Sequence, residues 1–367
     1  MQELSVAAVG RLNEIRQRID VLDERLQQLL NERATLAQEV ASIKQLDGEQ
    51  EVQFYRPERE AEVLRTVKQR QQGPLSAEEM ARLFREVMSA CLALEQPMVV
   101  AFLGPEGTFT QSAALKQFGH SVVTVPQRTI DDIFREVSSG SVDYGVVPVE
   151  NSTEGVVNHT LDLLIDSSLK ISGEVTIRIH QHLMRRSESR GDPRCIYSHA
   201  QSLAQCRRWL NHHFSEVELI EVSSNAEAAR RASEQPDTAA IAGETAADIY
   251  GLAITDRNIE DNPDNTTRFL ILGRSDVPPS GDDKTVLLLS TRNRPGALFQ
   301  LLQPLADHGI SMTRIESRPS RNGLWEYLFF VDIDGHSQDP PIAKTLQILE
   351  REATLFKILG SFPRAVM

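Results

Sequence analysis

The stretch "NPDNTTRFLILG", residues 262–273, joins two textures that do not belong together by default. Residues 269–272 form an unbroken apolar run, the mark of a strand buried on both faces. Yet that strand is entered through Thr266, Thr267 and Arg268. One reading is a polar loop whose hydroxyls tie off backbone groups before pairing begins. The other is a ligand site at the mouth of a sheet strand. What surrounds the stretch decides between them.

Upstream, "MVVAFLG" (98–104), "VDYGVVPVE" (142–150) and "TAAIAGE" (238–244) read as strands, with helical stretches such as "TIDDIFREVSSG" (129–140) between them. Alternating strands and helices predict an α/β sheet domain over residues 97–275. Three of its turns are unusually rich in uncharged hydrogen-bonding groups. "FLGPEGTFTQSAA" (102–114) follows a strand and opens a helix; Gly104 and Gly107 permit the tight turn, and Thr108 and Thr110 offer caps. Such a helix start attracts carboxylates, although the spacing matches neither GxGxxG nor a phosphate-binding loop. "VPVENSTEG" (147–155) sets Glu150, Asn151, Ser152 and Thr153 straight after a strand, and "YSHAQSLAQC" (197–206) sets His199, Gln201 and Gln205 after another. Strand C-termini are where open α/β sheets bind ligands. The corner at Thr266–Arg268 lies instead at a strand's entrance, so it reaches the same crevice from the opposite direction, as a crossover between two lobes does.

Residues 1–96 show no strand signal. Apolar residues recur at Leu12, Ile15, Ile19, Leu22, Leu26, Leu29, Leu36, Val40 and Ile43, a three-four alternation that predicts one long amphipathic helix with coiled-coil periodicity. Two shorter helices follow, from about residues 58–71 and 76–95, split by Gly73-Pro74; Ser76 with Glu79 makes a capping box. The misfit is Arg33, on the apolar seam between Leu29 and Leu36. A cation there costs several kcal/mol unless an anion meets it. Lys44 lies eleven residues on, about 20° around the helix, so both project the same way. Arg16 has a different azimuth and joins them only from a partner chain. The alternative, an Arg33 paired with a carboxylate inside a dimeric coiled coil, stays open on spacing alone.

"SDVPPSGDDK" (275–284) reads as a linker. The tail, residues 284–367, then runs strand (285–290), helix (295–308), strand (310–317), strand (324–333), helix (342–350) and strand (355–360), the β-α-β-β-α-β order of a ferredoxin-like unit. The bulk properties narrow the function classes. A net charge of −13 over 367 residues argues against general nucleic-acid affinity. No apolar run approaches the roughly 20 residues that span a bilayer, and residues 1–20 have no secretory pattern. Cys91, Cys195 and Cys206 form no CxxC pair; a reduced, cytoplasmic setting without a metal site is expected.

Three resemblances sharpen this into a multidomain expectation. With "RPEREAEVL" opening its second helix and "SACLALEQP" ending its third, the helical segment resembles the all-α chorismate mutase family, whose chains interlock as dimers. The matching positions are Arg16, Arg33, Lys44, Arg59 and Glu60. The resemblance implies that Arg16 of a second chain and Arg33 grip the substrate carboxylates, while Lys44 bonds the ether oxygen and Glu60 the ring hydroxyl. The reaction is a pericyclic rearrangement, so a compact substrate conformer and positive charge beside the breaking C–O bond are what a protein can contribute. Where the best-known pattern has a glutamine facing that oxygen, this chain has Glu95, which is expected to work only when protonated. The loop at 45–53 is longer than in that pattern.

"GPEGTFT", "VPVENSTEG", "YSHAQSLAQC" and "NTTRF" occur in the order found in prephenate dehydratases, and this resemblance runs from about Met98 to Arg274. It implies two lobes of periplasmic-binding-protein type with the active site between them. Thr267 then donates to the leaving hydroxyl, and Arg268 is either a carboxylate partner or a structural cation. Glu150, Asn151 and Gln205 match functional positions, with Glu150 either at the site or only a support behind it; His199 reads as structural, because the chemistry needs no base. "NRPGALFQLL" and "TRIESRPS" resemble the ACT regulatory domain of the same enzymes. This implies L-phenylalanine bound between paired domains near Gly296, Ala297, Leu298, Glu316, Ser317, Arg318 and Pro319. No cofactor is implied. Two other classes compete: a non-catalytic amino-acid sensor, and a dehydratase whose helical segment is purely structural.

Overall fold

The computed structural model describes residues 6–46, 55–292, 294–319 and 327–366. Most of the loop expected at 45–53, Asn293 and Ser320 of the two tail motifs, and the expected strand start at 324–326 lie outside the described residues.

Among the described residues the N-terminal segment contains three helices and no strand: α1 (Val6–Leu46), α2 (Pro57–Arg70) and α3 (Ala77–Glu95). At 41 residues α1 is about 60 Å long. Helix α3 packs against both others. Ser76 caps it by accepting from the Glu79 N–H at 3.0 Å. The Glu79 carboxylate goes to Arg82 rather than back to the cap, so only half of the expected box forms. The stripe of α1 is largely bare: Leu22, Leu29, Leu36 and Ile43 are each more than half exposed. That is an apolar face awaiting a cover.

The next segment is two lobes. The first contains β1 (Val99–Leu103), α4 (Phe109–Phe118), β2 (Val123–Gln127), α5 (Ile130–Ser139), β3 (Tyr144–Asn151), β4 (Gly155–Val156), α6 (Asn158–Asp166) and β5 (Lys170–Arg178). The second contains β6 (His182–Arg185), β7 (Cys195–Ser198), α7 (Ala200–Gln205), α8 (Arg207–His213), β8 (Glu218–Glu221), α9 (Asn225–Glu234), β9 (Thr238–Ala242), α10 (Glu244–Tyr250) and β10 (Ala253–Asp256). Its sheet order is β10-β6-β9-β7-β8. Then β11 (Thr266–Gly273) returns to the first sheet, antiparallel between β3 and β5, giving β2-β1-β3-β11-β5. The chain therefore crosses between lobes twice. The crossings are tied side by side, Ile179 N–H to the Asn265 carbonyl at 2.8 Å and Ile259 N–H to the Gln181 carbonyl at 2.9 Å.

The C-terminal unit is β12 (Asp283–Thr291), α11 (Ala297–Asp307), β13 (Met312–Pro319), β14 (Tyr327–Asp334), α12 (Pro340–Glu352) and β15 (Leu355–Pro363), in sheet order β13-β14-β12-β15. Leu287, Leu289, Phe329 and Val331 face α11 and α12. The alternate residues Val286, Leu288, Leu328 and Phe330 face the first lobe and share a core with Leu161, Leu164 and Ile171. Each such burial contributes roughly 1.5–3 kcal/mol. Backbones touch at Gly360, where a Cβ would lie 2.1 Å from the Ile171 carbonyl oxygen. The expected linker is no free tether: Val277 is buried, its carbonyl accepts from His336, and Arg65 of α2 bonds the Ser280 carbonyl at 2.8 Å.

Candidate active sites

The ends of β1, β3 and β7 and the start of β11 converge on a cleft of about 440 Å³ between the lobes, within the range of small-molecule sites. Thr108 caps α4 there, His199 caps α7 and Ser224 caps α9. Asn151, Gln205 and Thr267 line the cleft, as do Gln181 and Asn265 on the two crossings. None of the lining residues is Lys or Arg, and Glu154 is the one carboxylate among them.

Hydrogen bonds fix the orientation of the central groups. The Asn151 side-chain oxygen accepts from the Thr153 N–H (3.0 Å), the Thr153 hydroxyl (2.6 Å) and the Glu154 N–H (3.1 Å). Its Nδ2 therefore points the other way and donates to Thr267 Oγ1 at 2.7 Å and to Asn265 Oδ1 at 3.0 Å. Since the Thr267 oxygen is already accepting, its own hydrogen is available to donate, and the bond it receives polarises it further. Among the described residues, three amide atoms of residues lining the cleft are buried without a partner: Gln181 Oε1, Gln205 Nε2 and Asn265 Nδ2. A buried group left unpaired costs about 1–3 kcal/mol, which a ligand can recover.

Strand alternation sends the neighbours of these residues the other way. Thr267 is paired with Asn151 across β11 and β3, and Arg268 with Glu150. Arg268 lies 2.6 Å from Glu174 and 2.7 Å from Asp332 of β14, the second contact being ionic without hydrogen-bond alignment. Glu150 pairs with Arg314 of β13 at 2.8 Å. Neither lines the cleft. Of the two expected roles for Arg268 the structural one describes its placement, and Glu150 braces the C-terminal unit rather than the cleft. Burial pushes the Glu174 carboxyl up, but Arg268 and Lys284 outweigh it, so its net shift is downward.

On the helices, Arg33 and Lys44 are half-buried and act on Glu95 at the end of α3. Burial raises the Glu95 pKa above the ordinary carboxylate value, with Lys44 and Arg33 pulling against it. Arg16 is exposed, seventeen residues or about 25 Å up the helix from Arg33. Two expected partners stand elsewhere. Arg59 is exposed and bonds Glu62 at 2.9 Å. Glu60 is turned to the face of α2 packed on the first lobe, where it meets Arg85 at 3.2 Å; burial raises its pKa, with Arg85 opposing. In this arrangement Glu60 does not join the Arg33 corner.

In the C-terminal unit Gly296 takes φ +76° at the start of α11, a left-handed turn suited to glycine. Ala297 is buried and Leu298 partly exposed. Glu316 is paired with Phe330, so it faces the first lobe, while Ser317 and Pro319 alternate onto the exposed side of the edge strand β13. Arg318 is not free for an effector: it donates to the Asn158 carbonyl and side-chain oxygens at 2.8 Å each and pairs with Asp162 at 2.9 Å, all on α6.

Family models match in chain order: chorismate mutase type II over residues 15–96, prephenate dehydratase over 100–277 and the ACT domain over 285–351. The bifunctional chorismate mutase/prephenate dehydratase of Stutzerimonas stutzeri is 56% identical over 365 residues, covering 99% of this chain and 100% of that protein. This chain belongs to the bifunctional chorismate mutase/prephenate dehydratase family. The solved prephenate dehydratase of Arthrobacter aurescens in complex with L-Phe is 34% identical with a TM-score of 0.67, covering 73% of this chain and 90% of that one. A solved protein titled GqqA, a novel type of quorum quenching acylase, is 32% identical with a TM-score of 0.67, covering 73% and 98%.

Membership of the bifunctional family makes this a two-activity enzyme with a C-terminal ACT domain, which removes the sensor-only reading and the reading of the helices as mere structure. The cleft suits chemistry without a nucleophile. Ser202 Oγ accepts from Gln181 (3.0 Å) and Asn225 (2.8 Å), and His199 Nδ1 accepts from the Gln201 N–H at 3.4 Å, so no serine–histidine pair forms among these residues. Sequence reasoning passed over Asn265 and Gln181. The signal for Asn265 was present, because a strand's period of two puts it on the same face as Thr267.

Proposed function

We propose that the chain turns chorismate into prephenate at its helical unit and prephenate into phenylpyruvate in the cleft, within L-phenylalanine formation in the cytoplasm, and that L-phenylalanine restrains it through the ACT unit. The working units are residues 1–96, 97–275 and 284–367. In the first, Lys44 bonds the ether oxygen as its bond breaks, Glu95 donates when protonated, and Arg33 holds the substrate carboxylates with Arg16 from the second chain of a homodimer. The bare stripe of α1 supports that dimer.

In the cleft the carbon–carbon bond to the departing CO2 breaks, its electron pair enters the ring, and the carbon–oxygen bond to the ring hydroxyl breaks. The hydroxide leaves as water, with the proton consumed coming from solvent. Thr267 donates a hydrogen bond to the departing oxygen. The observation that carries this reading is the Asn151 amide donating to Thr267 Oγ1, which leaves the threonine hydrogen for the substrate. The lining without Lys or Arg fits as well, because a cation on the departing carboxylate stabilises the ground state more than a transition state that disperses the charge.

Supplying chorismate to the purified protein tests both steps. Phenylpyruvate is expected, and its formation should slow when L-phenylalanine is added. Prephenate accumulating alone refutes the assignment of the cleft; unchanged chorismate refutes that of the helices.

A further inference from the structure

We infer that Asn265 is a substrate-binding residue of the cleft, its Nδ2 donating to a carboxylate oxygen of the dianionic substrate. This deepens the dehydratase reading and rests on it. Asn265 is only 2% exposed and ends the second crossing between lobes, immediately before β11. Its side-chain oxygen is engaged, accepting from Asn151 Nδ2 at 3.0 Å with the Ser152 hydroxyl at 3.5 Å. Because Asn151 is itself held by three donors, the Asn265 amide has one orientation, with Nδ2 away from that cluster. That nitrogen is buried with no partner among the described residues, and Asn265 is one of the residues lining the cleft.

The missing partner is an acceptor, and its charge follows from the surroundings. With no Lys or Arg among the described residues that line the cleft, a dianion is held there by neutral donors, and buried donors left unsatisfied are the ones available to do it. Gln205 Nε2 is a second, from the opposite lobe. Asn265 shares the Asn151 amide with Thr267, so one hydrogen-bonded unit would seat a carboxylate and address the leaving hydroxyl together. A carboxylate spanning Asn265 and Gln205 also bridges the lobes.

The substitution N265D separates binding from scaffolding, since it keeps an oxygen to accept from Asn151 while it deletes the donor and adds a charge. Prephenate turnover by the unaltered protein is measured first, then KM and kcat of N265D from pH 5 to pH 8, with Tm and chorismate mutase activity alongside. The expected result is a rise in KM for prephenate of about 100-fold at neutral pH, from a lost donor and an added like charge. Mutase turnover should be unchanged, and any fall in Tm should shrink towards pH 5 as the buried carboxyl is protonated. Activity should partly return as pH falls, because the protonated carboxyl again offers a hydrogen. N265A, which removes the acceptor too, should both lower Tm and raise KM. If KM and kcat of N265D stay within about threefold of the parent across that range, below one typical hydrogen bond, the inference is overturned. It is overturned equally if only N265A is impaired. An unaltered protein that leaves prephenate intact overturns the functional reading, and this inference with it.

Discussion

In the cleft, Thr267, Asn151 and Asn265 are locked by hydrogen bonds from their own chain and lie buried or half-buried before any ligand arrives. On α1, Arg16 stands exposed, Arg33 is half-buried and the leucine stripe beside them is bare. The two regions differ in charge as well: one has neutral donors, the other cations around a carboxyl whose pKa is raised by burial. Completeness and charge follow the chemistry. A substrate that must shed charge from its own carboxylate is held by oriented dipoles, whereas an ether oxygen that becomes anionic calls for cations. The first kind of site fits inside one chain. In the dimer proposed above, a second copy would supply both the arginine that the second kind of site lacks in one chain and the cover for the stripe.

The sharpest way to break that comparison is to remove one group from each side. Thr267→Val keeps the shape and deletes the hydroxyl; dehydratase kcat should fall by about 10²–10³-fold while mutase activity holds. Lys44→Met should do the reverse by a similar factor. Assaying both activities on both variants decides it, and a variant that lowers the two together would show the sites are not independent. A somewhat smaller and more graded effect comes from Leu29→Asp, on the bare stripe. Sedimentation should show a weakened dimer, and mutase activity should drop about tenfold or more at low protein concentration, each 1.4 kcal/mol of lost association counting as tenfold. Dehydratase activity should persist. Unchanged mutase activity in a monomeric variant would mean that the corner is complete in one chain after all.

The smallest effect concerns Glu95. Its pKa is raised, so the protonated, donating form persists to higher pH than for an ordinary carboxyl. Below that pKa the group assists the ether oxygen; above it the carboxylate repels the developing charge, so mutase activity falls as pH rises through the raised value. Glu95→Gln should flatten this profile with little change at its acid end. A pH profile identical in the variant would remove Glu95 from the reaction.

Much of this molecule is legible in one dimension because much of it is periodic. The alternation of three and four in α1, the apolar run at residues 269–272 and the β-α-β-β-α-β order of the tail each follow from local repeats that only one type of element satisfies. Thr267 and Asn151 were legible too, as polar residues at the ends of apolar strands. What local pattern leaves open is which side of a strand or helix receives which neighbour. Period two says that Arg268 and Glu150 oppose Thr267 and Asn151, but not that a third domain waits there with Asp332 and Arg314. The same holds for Glu60, taken by Arg85, and for Arg318, taken by α6. A charged side chain carries no mark of its partner in its own sequence neighbourhood. Only the packing of helices and domains in the tertiary structure determined whether these four met a substrate or another part of the chain, because burial makes the nearest opposite charge or free carbonyl compulsory.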